Sequence, residues 1–106
     1  IEYIADKIVL LKDGKIIEES TQSEILNKIS ESIQELVVNQ NELDNLFTKM
    51  QIIRINQIDN QKYKIRVISN ESIGKQVQAN IEDIYMYYFG DKNEKNDTFW
   101  NKKSIW

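Results

Sequence analysis

The run Ile8-Val9-Leu10-Leu11 places four apolar residues in a row in a chain that elsewhere mixes apolar and polar positions. A strand with one wet face alternates, so this run predicts a strand buried on both faces or nearly so. Asp13-Gly14 follows as a two-residue hairpin turn. Glycine accepts the positive φ of a type I′ turn, and aspartate tolerates it better than most residues. Lys15 to Glu19 is the return strand, becoming polar as it leaves the core. Thr21 or Ser23 then caps a helix, about Gln22 to Ser30, carrying Ile25, Leu26 and Ile29. Ahead of the run, Ile1 to Lys7 reads as the tail of a helix with Tyr3, Ile4 and Ile8 on its buried side.

The remaining pattern predicts a second set of elements. Glu31 to Val38 is a strand, with Leu36 and Val38 facing one way and Ile33 and Val37 the other. Asn39 to Glu42 is a capping box that starts a helix with Leu43, Leu46, Phe47 and Met50 in one apolar stripe. Ile52 to Ile58 is a strand of weaker alternation. Asp59-Asn60-Gln61 turns the chain, and Lys62 to Val67 alternates cleanly, with Tyr63, Ile65 and Val67 facing a core and the cations facing water. These two strands form an antiparallel hairpin. Asn70 to Gln78 is a polar connection with a turn at Gly74 and a brief strand near Val77. Asn80 caps a last helix, Ile81 to Phe89, with Ile81, Ile84, Tyr85 and Tyr88 on the apolar face and Gly90 as C-cap. The order predicts an α+β fold, a small antiparallel sheet with helices packed on one face, preceded by a β-hairpin and helix.

Composition narrows the chemistry. The chain has 106 residues, enough for one modest core, with 14 basic and 17 acidic residues interspersed and a net charge of -3. No basic stripe offers a nucleic-acid footprint. Histidine and cysteine are absent, which removes imidazole catalysis, thiol chemistry and the usual zinc sites. No apolar run approaches the ~20 residues of a membrane-spanning helix. The abundance of Ile, Asn and Lys is compatible with an AT-rich bacterial genome.

Candidate sites each carry a plain structural reading. Glu18-Glu19 is explained by a strand heading into solvent, and Asp83 beside Tyr85 by the acids expected in a first helical turn. Lys62, Lys64 and Arg66 form a cationic strand face, read as solvated in preference to one that meets an acidic partner. On the last helix, Tyr85 and Tyr88 read as structural, whereas Tyr87 points elsewhere and is a candidate partner contact. Asp91 to Trp106 is a polar tail, expected to be disordered, although Trp100 and Trp106 with Lys102 and Lys103 would also suit a membrane interface or a partner.

The letters of the first segment are specific. Tyr3-Ile4-Ala5-Asp6-Lys7 through Lys12-Asp13-Gly14-Lys15-Ile16-Ile17-Glu18-Glu19-Ser20-Thr21, with Glu24-Ile25-Leu26 following, closely resembles the end of the ATP-binding subunit of an ABC transporter. There a helix ending near "ADKI" leads to a strand, a "DGKI" turn, a strand and "G-T-x-x-E-L". Ser20 stands where the family usually has glycine. Ile81 to Gly90 also resembles the closing helix, "L-E-D-V-Y-L-Y-Y-F", of an accessory domain in such subunits, chiefly of bacterial exporters.

The resemblance implies three parts: residues 1–30, the end of the ATPase core; 31–90, an accessory α+β domain; and 91–106, the tail. It implies a cytoplasmic parent at the inner face of the membrane, which couples ATP hydrolysis to transport, with ATP and magnesium in the parent. Its partners would be the upstream ATPase core, membrane permease subunits and, for the fragment, a homodimer. Opening on Ile1 inside a helix, the chain is expected to be a fragment of that parent. Gly14, Gly74 and Gly90 lie too far apart for a phosphate loop. No catalytic, cofactor or metal residue is assigned, and the fragment is not expected to be an enzyme. The accessory domain is expected to regulate or stabilise a dimer, and the other reading is a small-ligand sensor with a cavity lined by Phe47, Tyr63 or Tyr85. Once cut from its parent, Ile8, Val9, Leu10 and Leu11 would have lost neighbours. They are therefore candidate partner contacts, expected to pack back on the accessory sheet or to exchange strands with a second copy.

Overall fold

The computed structural model describes residues 7–90 and, as backbone, residues 2–4. The element order is β1 (Glu2–Ile4), β2 (Lys7–Lys12), β3 (Lys15–Thr21), α1 (Gln22–Ser30), β4 (Ile33–Asn39), α2 (Gln40–Lys49), β5 (Gln51–Gln57), β6 (Lys62–Ile68), β7 (Lys75–Gln76) and α3 (Ile81–Phe89). They make two antiparallel sheets, β1-β2-β3 and β5-β6-β4-β7, and the fold is α+β. The polar tail and its tryptophans lie outside the described residues.

Local chemistry sets most boundaries. Asp13 and Gly14 both have positive φ, 53° and 76°, as a type I′ turn requires. Thr21, Asn39 and Asn80 start the three helices, each with a complete capping box closed by Glu24, Glu42 and Asp83. Asp59 holds the β5–β6 turn, its carboxylate accepting from the amides of Gln61 and Lys62 at 2.8 and 2.9 Å. Gly90 caps α3 with an ordinary φ of -76°. Space, and not a left-handed backbone, calls for glycine: a Cβ would overlap the Gln51 amide nitrogen and lie 2.5 Å from the Met86 carbonyl oxygen.

Three expectations are corrected. Residues 2–4 are a strand paired with β2, not a helix tail: Glu2 lies opposite Val9 and Ile4 opposite Lys7. The open edge of β2 offers a ladder that a short segment can join at once, whereas an isolated helical turn is poorly nucleated. Secondly, the helices lie on both faces of the four-stranded sheet. α2 packs with Val38, Tyr63, Ile65 and Val67 on one side, and Ile84 of α3 and Ile25 and Ile29 of α1 pack with Ile33 on the other. Strand parity explains this, because β4 carries apolar residues on both faces. Thirdly, Tyr85 is not on the buried face of α3 but 56% exposed, while Asp83 is fully buried beside Ile84.

Ile8 and Leu10 of β2 are fully buried in the same core as Ile33, Ala79 and Ile84. The apolar strand therefore packs back on the four-stranded sheet through α1 and α3. Burial of each such side chain contributes about 2 kcal/mol.

Candidate functional site

The most elaborate chemistry lies between the four-stranded sheet and α3. Arg66, on β6, projects from the face opposite Tyr63, Ile65 and Val67, and only 12% of its side chain is exposed. Its Nε donates to Asp83 Oδ1 at 2.9 Å and its Nη2 to Asp83 Oδ2 at 2.5 Å, a bidentate pair. Nη1 donates to Glu35 Oε2 at 3.0 Å, and Nη2 also reaches the Gln78 carbonyl at 2.9 Å. The Asn80 amide donates to Asp83 Oδ2 at 2.8 Å. Asp83 thus serves as the N3 residue of a capping box and as the counter-ion of Arg66. The hydrogen bonds that Arg66 donates to the Asp83 carboxylate are the chief cause that raises the Arg66 pKa above its ordinary value. Arg66 is therefore not the solvated cation read from the alternation, whereas Lys62 and Lys64 of that face are exposed.

A second polar centre sits where the β4 face should be apolar. Gln34 is buried, and all of its side-chain amide capacity is used. Its Nε2 donates to the carbonyls of Ser69 and Glu71 at 3.2 and 2.7 Å, and its Oε1 accepts from the amides of Ile73 and Gly74 at 2.9 Å each. One side chain stands in for a strand along the β6–β7 connection. Ser30 acts similarly at the end of α1, donating to the Leu26 carbonyl at 2.6 Å and accepting from the Ala79 amide at 2.9 Å.

A third network ties the hairpin to the helices. Glu18 of β3 accepts from Lys28 of α1 at 3.0 Å and from Ser20 at 3.1 Å, and the Tyr88 hydroxyl of α3 donates to it at 3.5 Å. The Lys28 bond, then the Ser20 bond, holds the Glu18 carboxyl below its ordinary value, and the same contact with Glu18 raises Lys28. Burial pushes the Tyr88 phenol up. Glu18 and Glu19, side by side in sequence, differ: the first is tied in and the second is exposed.

The candidate partner contacts separate. Ile8, Val9 and Leu10 are covered by this chain, whereas Leu11 and Tyr87 are exposed. The three residues of the sensor reading do not converge. Phe47 and Tyr63 are buried together under α2, and Tyr85 projects outward from α3 against Phe89, ring centres 5.5 Å apart. Among the described residues no group of three or more acidic, His or Cys side chains is placed to hold a metal ion. No helix among them is long and apolar enough to cross a membrane.

Sequence reasoning missed Gln34 and Arg66 as organising residues. Gln34 was detectable as the polar residue in a row with Leu36 and Val38. Arg66 gave no such signal, because its partners lie 17 and 31 residues away in the chain. All three networks position elements; their charged groups are already paired with one another. No protein-family model, no curated protein and no solved structure matches the chain.

Proposed function

We propose that the chain is the C-terminal part of the ATP-binding subunit of a bacterial ABC transporter, in which residues 31–90 regulate the ATPase or stabilise its dimer. The observation that carries the reading is the ordered string of the first segment: strand, Asp13-Gly14 turn, strand, then Thr21 capping a helix through Glu24. The strand at Glu2–Ile4 departs from the helix that the resemblance implies there. The chain would contribute no catalytic group of its own; ATP and magnesium would bind upstream. The parent would lie in the cytoplasm against the membrane, engaging permease subunits and driving export. Tight polar tethering of α3 to the sheet supports a rigid contact element over a ligand chamber.

The test is deletion of residues 31–106 from the parent subunit, followed by ATPase rate and dimer affinity with the permease present. A change in either is expected. Both unchanged would overturn the regulatory role, and a parent that neither binds ATP nor co-purifies with a permease would overturn the transporter reading.

A further inference from the structure

The outer side of α3 is apolar and, among the described residues, largely open. Ile81, Tyr85 and Phe89 follow one another at i, i+4 and i+8, which stacks them in a row along one side of the helix. Ile81 is 38% and Tyr85 56% exposed, Phe89 is half-buried, and the rings of Tyr85 and Phe89 meet at 5.5 Å. The other sides of the helix are taken. Asp83 is held to the sheet by Arg66, Glu82 accepts from Arg54 of β5, Ile84 packs with α1, and the Tyr88 hydroxyl reaches β3.

The size of the row favours an occupant from the same chain. From Phe89 back to Ile81 is about 12 Å along the helix axis. A row of that length, one side chain wide, falls well short of the roughly 800 Å² that each partner of a stable complex buries. A tethered segment needs less area, because its local concentration is about millimolar. The sequence supplies such a segment. Past Gly90, Asp91 to Thr98 contains no large apolar residue, and Phe99-Trp100 follows. Those eight residues reach up to about 26 Å, more than the length of the row, so the chain has room to turn and bring the two rings back onto it. Gly90 is already extended, with φ -76° and ψ 144°, so the chain leaves the helix there. The row begins at the residue next to Gly90 and is the first exposed apolar surface a returning chain meets. Aromatic rings suit it, because offset and edge-on contacts with the Tyr85–Phe89 pair are favourable.

We propose that the outer face of α3 is an intramolecular docking site: Phe99 and Trp100 pack on Ile81, Tyr85 and Phe89, with residues 91–98 as the connecting loop. This does not depend on the transporter reading, which stands or falls on ATP and permease binding.

Both tryptophans of the chain, Trp100 and Trp106, lie past Gly90, so tryptophan fluorescence reports on this segment alone. In a Trp106→Phe chain, Trp100 should emit at shorter wavelength than in urea and resist quenching by acrylamide, equally at all protein concentrations. Tyr85→Asp and Ile81→Asp should each shift the emission to its position in urea and abolish the protection. Both side chains are exposed, and an acid at position 81 falls in the first helical turn, where the helix dipole favours it. Circular dichroism should therefore show both variants folded. Ile16→Asp, at the exposed hairpin, should leave Trp100 unchanged. A freely quenched Trp100 in the Trp106→Phe chain would overturn the inference. So would protection that survives both α3 substitutions, protection lost in Ile16→Asp, or protection lost on dilution, which would assign the row to a second copy.

Discussion

The two faces of the four-stranded sheet solve the same problem by different means. On the α2 side, Val38, Leu43, Phe47, Ile52, Tyr63, Ile65 and Val67 form a core of apolar side chains. On the α3 side, Ile33, Ile68 and Ile84 share the interface with a buried Arg66–Asp83 pair anchored to Glu35. The apolar face gains its stability from burial, which is non-directional. The charged face gains little net stability from its ion pair, because desolvation offsets most of the attraction. What the pair supplies is placement. A bidentate guanidinium fixes the rotation of α3, which is why Asp83 turns inward and Tyr85, two residues on, turns outward.

The comparison breaks first at Arg66. Arg66→Ala leaves a fully buried carboxylate with no cation and should cost about 3–5 kcal/mol in urea denaturation. Arg66→Met combined with Asp83→Leu should recover most of that stability, yet increase protease access to α3, because the helix would be held by apolar contact alone. A double variant as unstable as the single would show that the pair itself stabilises the fold. On the opposite face, Leu43→Ala should cost about 2–4 kcal/mol through cavity formation and leave α3 unaffected, as measured by amide exchange in α3.

A smaller effect is expected at Gln34. Gln34→Leu suits the apolar parity of β4 but strands two carbonyls and two amides of the Ser69–Gly74 connection. The cost should be about 2 kcal/mol, with faster hydrogen exchange at the Ile73 and Gly74 amides and little change elsewhere.

The smallest effect concerns Glu18. Its folded pKa is lowered by Lys28 and Ser20, so its contribution is fully present above the ordinary value of 4.5 and is lost as pH falls through the lowered one. Glu18→Gln should flatten the stability curve in that acid range and change neutral stability by well under about 1 kcal/mol, because the Lys28 partner is largely exposed. A curve that kept its acid slope would assign the dependence to another carboxylate.

Much of the fold was legible in the sequence where a short stretch contained its own explanation. The Asp13-Gly14 turn, the Thr21, Asn39 and Asn80 caps, the Leu43–Phe47 stripe and the Tyr63-Ile65-Val67 alternation each need only neighbours within about four residues. The candidate site was less legible. Tyr85 and Ile84 both suit an apolar helix face, and periodicity alone cannot say that Asp83 displaces Tyr85 from it. The run Ile8 to Leu11 announced burial but not its cover, and the structure supplies Ile33, Ala79 and Ile84. At its end Leu11 remains exposed, where the chain turns out of the core.

The amino-acid sequence by itself determined the α+β class, most element boundaries, the caps and the two apolar parities of β4, because these depend on backbone sterics and local periodicity. Only the tertiary structure decided that the helices divide between two faces, that Glu2–Ile4 joins a sheet, and that Arg66, Glu35 and Asp83 meet. Those outcomes depend on contacts between residues distant in the chain. A charged side chain in a strand has the same local signature whether water or a buried carboxylate awaits it.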